Sequence, residues 1–244
     1  MKLTVLNSDS TGNAYVLQNS REALIIEAGV NIAEIKKALN WKINKVAGAI
    51  ISHEHNDHSK SIQELMKYGI TVLALPEVFK AKKISNLSFR KEIKPMKGYK
   101  VGGFKILTFP VSHDVPCLGF VISHEEMGKL LFVTDSSSFD YSISADHIMI
   151  EANYATDIVQ RKIEEGLIPP VVLPRLFGSH MEINETLRVI KGLDLTNTNE
   201  IILIHLSNGN SDEERFIREM KQATGKPVYV ASKGLEIDLS LNPY

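Results

Sequence analysis

The sequence predicts an α/β (α+β) protein in which two β-sheets pack together with helices outside. Two observations lead to this prediction: short runs rich in β-branched and apolar residues recur along the chain, and segments with apolar residues at helical spacing lie between them. Strand-like runs dominate the first half, whereas helices cluster around the second quarter and the last third. Because every sheet and helix must bury an apolar face, such interleaving favours packed sheets flanked by helices.

The predicted strands follow the β-rich runs in chain order. They cover residues 3–6, 14–17, 23–26, 46–51, 71–75, 104–109, 119–122, 130–134, 148–150, 201–204 and 228–230. The predicted helices are marked by apolar residues three or four positions apart: Ile32, Ile35 and Leu39; Ile62, Leu65 and Met66; Ile183, Leu187 and Ile190; and Phe216, Ile217 and Met220. Two of these helices have capping-box spacings that predict their starts, Asn31 with Glu34 and Ser179 with Glu182.

Composition and length favour one globular domain, predicted to span residues 1–244. Of the 244 residues, 43% are hydrophobic and 23% are charged, the net charge is -1, and neither a linker nor a repeat is visible. The N-terminal residues MKLTVLNSDS lack the charged start and the 7 to 15 residue apolar region of a secretory signal, and no apolar stretch reaches the roughly 18 residues of a membrane span. We therefore expect a cytoplasmic protein without a membrane partner. The single cysteine, Cys117, excludes an internal disulfide and is expected to be an ordinary buried or half-buried thiol.

The most informative motif is HEHNDH at residues 53–58, directly after the apolar run 46–51. An extended chain points residues i and i+2 to the same side, so His53 and His55 can reach one metal ion together. Asp57 and His58 follow where the chain turns into a helix predicted to begin near Ser59, and they would face a second ion. Imidazole and carboxylate ligands without thiolate suit zinc, manganese or iron.

Further candidate ligands close three other strand-like runs: His113 in PVSHD, Asp135 in FVTDS and His205 in LIHLS. A single histidine at a strand end is often structural. Three such residues at three strand ends, however, fit a site built along one edge of a sheet, and they supply the ligands that HEHNDH lacks.

The combined pattern, HxHxDH followed by His, Asp and His at successive strand ends, resembles the metallo-β-lactamase-fold hydrolases. This resemblance covers almost the whole chain and implies a four-layer αββα sandwich of two mixed β-sheets flanked by helices. It also implies two divalent metal ions. His53, His55 and His113 would hold one ion, Asp57, His58 and His205 would hold the other, and Asp135 would bridge them.

Finer motifs resemble the YycJ/WalJ-like proteins, namely NSDSTGNAYVL near the N-terminus, EANY at residues 151–154, SHMEINETLRVI and LIHLSNGN. The last two also resemble segments of tRNase Z and PhnP-type phosphodiesterases, in which a non-ligand histidine precedes the final metal histidine. His180 occupies that position and is expected to be catalytic; the alternative is an idle histidine in the first turn of a helix. The YycJ-like resemblance implies 5′-to-3′ exonuclease activity on DNA.

One residue departs from the family pattern. The family usually has an aspartate behind the metal cluster at the strand end where this chain has Glu27. Glutamate keeps the charge but is one methylene longer, so Glu27 is expected to support the metal ligands from a changed position. Three asparagines, Asn13, Asn153 and Asn208, are candidate substrate-binding residues.

The expected reaction is attack of a metal-bridging hydroxide on a phosphodiester, with His180 donating a proton or hydrogen bond and Asp57 orienting the hydroxide. The expected substrate is nucleic acid, DNA in preference to RNA. A basic segment, residues 80–105, either follows phosphates or is a solvated loop. Two alternatives stay open: a hydrolase of a small thioester, lactone or lactam, and a metal-binding regulatory module without turnover. The oligomeric state is not predicted.

Overall fold

In the computed structural model, which describes residues 1–241, the strands form two seven-stranded β-sheets. The strands are β1 (Lys2–Asp9), β2 (Gly12–Gln18), β3 (Ala23–Ile26), β4 (Val46–Ile50), β5 (Val72–Ala74), β6 (Arg90–Glu92), β7 (Gly98–Val101), β8 (Phe104–Val111), β9 (Cys117–His124), β10 (Gly128–Val133), β11 (His147–Glu151), β12 (Glu200–Ile204), β13 (Val228–Val230) and β14 (Glu236–Asp238). The first sheet has the order β14-β1-β2-β3-β4-β5-β6, and the second has the order β13-β12-β11-β10-β9-β8-β7. Both sheets mix parallel and antiparallel pairs.

The helices lie on the outer faces of the two sheets. They are α1 (Ile32–Ala38), α2 (Asn56–Ser59), α3 (Ile62–Lys67), α4 (Pro76–Ala81), α5 (Thr156–Glu164), α6 (Leu173–Ser179), α7 (Ile183–Lys191) and α8 (Glu213–Thr224), with short 3-10 turns at Ile43–Lys45 and Pro170–Val172. Within residues 1–241, none of them is both long and apolar enough to cross a bilayer.

Strand β12 illustrates how the layers are held together. Ile202 and Ile204 belong to the core that joins the two sheets, whereas Ile201 and Leu203 belong to the core beneath the outer helices. This alternation arises because successive side chains of a strand point to opposite faces. The four-layer αββα sandwich predicted from the sequence is therefore confirmed. The prediction of one domain over residues 1–244 stays a prediction, and its last three residues lie outside the described part of the chain.

All the predicted strands are present, but β6, β7 and β14 were not predicted. Each of them lies at the edge of a sheet. Their sequences, RKE, GYKV and EID, lack an apolar run because an edge strand is protected by charged side chains and buries little surface. Periodicity therefore misses edge strands for a physical reason.

The predicted helix starts need two corrections. Ser179 does not cap α7: it is the last residue of α6, and Glu182 is the N-cap of α7, where its carboxylate accepts a hydrogen bond from the Asn184 amide. The helical turn predicted to begin near Ser59 begins inside the HEHNDH motif, at Asn56. Asn31 does precede α1 as predicted, although its side chain makes no capping hydrogen bond.

The topology brings several strand ends to one edge of the sandwich. Strands β10, β11 and β12 are parallel neighbours, and β8 runs in the same direction because it is antiparallel to β9, which is antiparallel to β10. The carboxyl ends of all four strands therefore open onto the same edge. The segment after β4 faces this edge from the first sheet, and its residues meet those of the second sheet there.

Candidate metal centre

Two groups of side chains at this edge can each hold a metal ion. In each group the ligand atoms lie within 4.8 Å of one another. Asp135 belongs to both groups, because it follows β10 in the middle of the site. The groups are His53, His55, His113 and Asp135, and Asp57, His58, Asp135 and His205. The structure thus brings together all seven residues that the sequence resemblance assigned to metal binding.

The chemistry of His53 fits a divalent cation. Its ring is fully buried, and Nδ1 lies 2.9 Å from the hydroxyl of Ser52. The other nitrogen, Nε2, has no hydrogen-bond partner within residues 1–241 and lies 3.7 Å from Asp135 Oδ2. Burial and the neighbouring His58 hold the pKa of His53 well below its ordinary value, which favours the neutral imidazole that binds metals.

Two other histidines are oriented by the protein through their Nδ1 atoms. His113 Nδ1 lies 3.0 Å from the carbonyl oxygen of Ser179, so a proton on Nδ1 is donated there and Nε2 is left as a ligand atom. His205 Nδ1 lies 3.2 Å from Glu151 Oε1, and its Nε2 lies 3.3 Å from Asp57 Oδ2. In both residues the protein holds the Nδ1 side of the ring, and Nε2 faces the cluster.

The centre of the site is strongly charged although it is buried. Burial raises the pKa of the Asp135 carboxyl, but the imidazoles of His205 and His58 outweigh this effect and hold it well below its ordinary range. Burial lowers the pKa of His205, but Asp135 and hydrogen bonds to Asp57 and Glu151 raise it to about 10. The ionised carboxylate of Asp135 is only 2% exposed, and burying such a charge is costly unless positive charge lies nearby. Divalent cations would supply that positive charge.

The backbone at the site is held in an unusual conformation. Glu27, Asp135 and His205 have φ values of 61°, 42° and 55°, in the left-handed region that residues other than glycine rarely adopt. Hydrogen bonds maintain it: the His205 amide donates to Ser8 Oγ at 2.9 Å, and the Glu27 amide donates to the Ile50 carbonyl at 2.9 Å. Strain of this kind concentrates where side chains must be aimed at a functional site.

Glu151 is a site residue whose role the sequence reasoning missed. Its carboxylate is fully buried at the end of β11; Oε2 accepts hydrogen bonds from the Ser136 and Met181 amides, at 2.9 and 3.1 Å. Oε1 lies 2.7 Å from His180 Nδ1 and 3.2 Å from His205 Nδ1. One carboxylate therefore connects a candidate metal ligand to the candidate catalytic histidine. The available signal was its position, since Glu151 closes an apolar strand just as His113, Asp135 and His205 do.

His180 lies beside the cluster but does not start a helix. It follows α6 as its C-cap, and its ring stacks on that of His205 with centroids 5.3 Å apart and an interplanar angle of 12°. The side chain is 21% exposed and lines a cavity of about 270 Å³ together with Asp57, Asp135 and His205. Burial lowers the pKa of His180, but the Glu151 carboxylate outweighs this effect and raises it above its ordinary value.

Comparison with known proteins agrees with this geometry. Residues 8–195, well over half of the chain, match the sequence model of the Metallo-beta-lactamase superfamily. The chain belongs to the metallo-beta-lactamase superfamily. This match includes every candidate ligand except His205, which lies beyond its end.

Individual relatives of this superfamily are distant. The chain is 26% identical over 228 residues to the exodeoxyribonuclease WalJ of Streptococcus pneumoniae serotype 2, covering 87% of this chain and 84% of WalJ. It is 24% identical over 254 aligned positions to the exodeoxyribonuclease YycJ of Bacillus anthracis, and the alignment covers 97% of this chain and 94% of YycJ. Among solved structures, the metallo-beta-lactamase fold protein YhfI of Bacillus subtilis matches with a TM-score of 0.74 and 21% identity, covering 97% of this chain and 98% of YhfI. The sequence resemblance is thereby confirmed.

Glu27 lies in the structure next to candidate metal ligands, behind the cluster. The side chain is fully buried; Oε1 accepts a hydrogen bond from the Ser52 amide at 3.1 Å, and Oε2 lies 3.6 Å from His58 Nδ1. Oε2 has no hydrogen-bond partner within residues 1–241. The longer glutamate therefore faces the ring of His58 and the backbone that carries His53.

Replacing Glu27 with glutamine is expected to weaken metal binding about 10- to 100-fold, the usual cost of losing a residue that orients a metal ligand. The amide keeps the size of the side chain but loses the negative charge that faces His58. Competition with a chromophoric chelator measures this change. Glu77→Gln, on the exposed surface of α4, is the matched control. Wild-type affinity in Glu27→Gln would contradict the supporting role.

Two of the three candidate substrate-binding asparagines are corrected by the structure. Asn13 is fully buried, and its amide donates to the Asp9 carbonyl at 3.0 Å and lies 3.2 Å from His58 Nε2. Asn153 is 5% exposed, and its amide donates to the His205 carbonyl at 2.8 Å. Both amides are engaged by the protein and shielded from solvent, so they position ligand segments. Asn208 is exposed in the turn after β12, where substrate binding stays a prediction.

The basic segment 80–105 does not form one surface. Lys82 Nζ lies 2.5 Å from Asn56 Oδ1 within the HEHNDH segment, beside the site. Lys100 and Lys105 are paired across β7 and β8 at the opposite end of β8 from His113. Eight residues of extended chain separate Lys105 from His113, roughly 25 Å. Lys100 and Lys105 therefore lie far from the metal centre.

The expectation of a buried or half-buried thiol at Cys117 is confirmed, because the side chain is buried and burial raises the pKa of its thiol. Two histidines lie outside the site. His124 lies 3.3 Å from Glu22 Oε1 at the far end of β9, and His147 pairs with Glu200 at the start of β11.

Proposed function

We propose that this protein is a phosphodiesterase that depends on two divalent metal ions and acts on DNA as an exonuclease. The observation that carries the proposal is the placement of His180, held by Glu151 at 2.7 Å, next to two candidate ligand groups that share Asp135. The names of the relatives WalJ and YycJ, both exodeoxyribonucleases, support the same substrate class.

The proposed ligands are those that the sequence resemblance implies. One ion would be held by His53, His55 and His113, the other by Asp57, His58 and His205, with Asp135 between them. The imidazole and carboxylate donors fit zinc or manganese, and iron as well. When bound, such ions lower the pKa of a water molecule and stabilise negative charge that develops on phosphoryl oxygens.

The residues of the chain itself would move the proton and orient the attacking water. Glu151 accepts a hydrogen bond from His180 Nδ1–H and raises the pKa of the ring, which favours a protonated His180 that can donate a proton to the leaving oxygen. Burial raises the pKa of the Asp57 carboxyl, but hydrogen bonds to His205 and His58 lower it well below its ordinary value. Asp57 therefore stays ionised and can accept a hydrogen bond from water in the cavity that it lines.

A substrate panel tests this proposal. Purified, metal-replete protein is incubated with 5′-labelled single- and double-stranded DNA, with RNA of the same sequence, and with thioester, lactone and lactam compounds. We expect stepwise release of mononucleotides from DNA, with slower or no release from RNA. Turnover confined to the thioester, lactone or lactam compounds would identify a small-molecule hydrolase. Retention of metal without turnover of any substrate would identify a metal-binding regulatory module.

A cytoplasmic location of the protein stays a prediction.

A further inference from the structure

Among residues 1–241, Arg175 contributes the only guanidinium that lines the metal cavity. The residues that line the cavity with it include Ser179 and the carboxylates Asp57, Asp114 and Asp135. Arg175 is exposed on α6. Within residues 1–241 its side chain forms no ion pair and no hydrogen bond. Four other arginines, by contrast, are paired with carboxylates: Arg21, Arg90, Arg188 and Arg215.

Ser179 adds a second unsatisfied group on the same side of α6. It lies four residues after Arg175, so the two side chains share one face of the helix. Ser179 is 2% exposed, lines the same cavity, and its hydroxyl has no hydrogen-bond partner within the described residues. A buried hydroxyl without a partner is costly, and a ligand oxygen in the cavity would remove that cost.

The same helix also carries groups that belong to the proposed chemistry. The carbonyl of Ser179 lies 3.0 Å from His113 Nδ1, and His180 follows as the C-cap of α6. A ligand held by Arg175 would therefore be bound by the same short segment that orients a metal ligand and the proposed proton donor. Lys82 cannot replace Arg175, because Lys82 does not line the cavity and bonds to Asn56 instead.

We infer that Arg175, assisted by the Ser179 hydroxyl, binds the phosphate that neighbours the scissile phosphodiester in a nucleic acid strand. The inference rests on the proposed function and narrows its substrate to oligonucleotides with at least two consecutive phosphates. A planar guanidinium matches two phosphate oxygens with two parallel N–H donors, and the serine hydroxyl supplies a third donor. The neighbouring phosphate needs its own cation because the carboxylates Asp57, Asp114 and Asp135 of the cavity repel a second anion.

A thermodynamic cycle that combines a protein substitution with a modified DNA linkage isolates this contact. Wild type and Arg175→Ala are each assayed on a DNA strand with normal phosphates and on the same strand with one uncharged methylphosphonate at the linkage next to the cleavage point, on either side in turn. In wild type, one of the two positions is expected to lower kcat/KM on the order of 10- to 100-fold, the range for a charge-assisted hydrogen bond. In Arg175→Ala the same replacement is expected to cost less than about threefold, because its partner is already absent.

Binding gives a readout that does not depend on turnover. The dissociation constant of a fluorescent phosphorothioate oligodeoxynucleotide, measured by anisotropy, is expected to rise by a similar factor in Arg175→Ala and by less in Arg175→Lys, which keeps the charge but not the planar fork. Arg161→Ala, on the exposed surface of α5, is the matched control and should bind as wild type does. Metal content per chain should stay unchanged in every variant.

The outcomes separate the inference from the proposed function. Cleavage of normal DNA by wild type, with equal methylphosphonate penalties in wild type and Arg175→Ala, overturns the role of Arg175 and leaves the nuclease standing. Failure of wild type to cleave normal DNA overturns the proposed function and this inference with it. A penalty present in wild type and lost in Arg175→Ala supports the contact.

Discussion

Replacing Asp135 with alanine is expected to remove both metal ions and to abolish hydrolysis. Asp135 is the residue shared by the two ligand groups; Oδ1 lies 3.2 Å from His58 and 3.6 Å from His205, and Oδ2 lies 3.7 Å from His53 and 3.8 Å from His113. Within residues 1–241, it is the only residue that belongs to both groups. Its loss therefore removes a ligand from each proposed ion and the negative charge at the centre of a buried site.

Metal content by ICP-MS should fall from near two ions per chain to well below one, and turnover should fall by at least about 10²- to 10³-fold, the cost of losing one preorganised electrostatic partner. Asp140→Ala is the matched control, since Asp140 is 74% exposed and pairs only with the surface residue Arg188. Circular dichroism establishes that both variants are folded. Two ions per chain in Asp135→Ala would contradict the shared-ligand assignment.

The second large effect is expected at His180. Its replacement by alanine should lower turnover of bis(p-nitrophenyl) phosphate and of DNA about 10²- to 10⁴-fold, the range for a general acid, while metal content stays near two ions per chain. The separation arises because His180 Nδ1 is engaged by Glu151 and its ring stacks on His205 rather than completing either of the two proposed ligand groups.

His180 also belongs to a third group, with Asp135, Glu151 and His205, that can hold an ion. The metal measurement on His180→Ala distinguishes the roles: loss of metal would make His180 a ligand. The matched control is His124→Asn, at the far end of β9, which should keep its turnover. Glu151→Gln should reduce turnover less than His180→Ala, since Glu151 acts on the proton donor through the ring and does not touch substrate.

The candidate ligands His113, Asp135 and His205 could be predicted from the sequence because each one closes an apolar strand, and parallel strands bring their carboxyl ends to one edge of a sheet. Glu151 obeys the same rule, but a glutamate after a strand is common, and only its two histidine contacts give it a role. The burial of Asn13 and Asn153 could not be predicted, because the local sequence around an asparagine carries no sign of it. That burial depends on segments far away in sequence, His58 for Asn13 and His205 for Asn153.

Helix α6 escaped prediction for a different reason. Its apolar residues do not follow a core pattern, since Phe177 is 45% exposed, and Ser179 resembled the start of the next helix. Its contacts include the Ser179 carbonyl beside His113 Nδ1 and the stacking of Phe177 on Tyr154, both with residues distant in sequence. Arg175 therefore gave no signal in the sequence, although it lines the cavity.

The most direct test of the central claim is a metal titration of DNA hydrolysis. Protein stripped with a chelator receives increasing equivalents of Zn²⁺ or Mn²⁺, and release of labelled mononucleotide from single-stranded DNA is followed at each step. The account predicts no release without metal and a rate that reaches its maximum at two equivalents per chain. A maximal rate at one equivalent, or hydrolysis of DNA by the stripped protein, would contradict it.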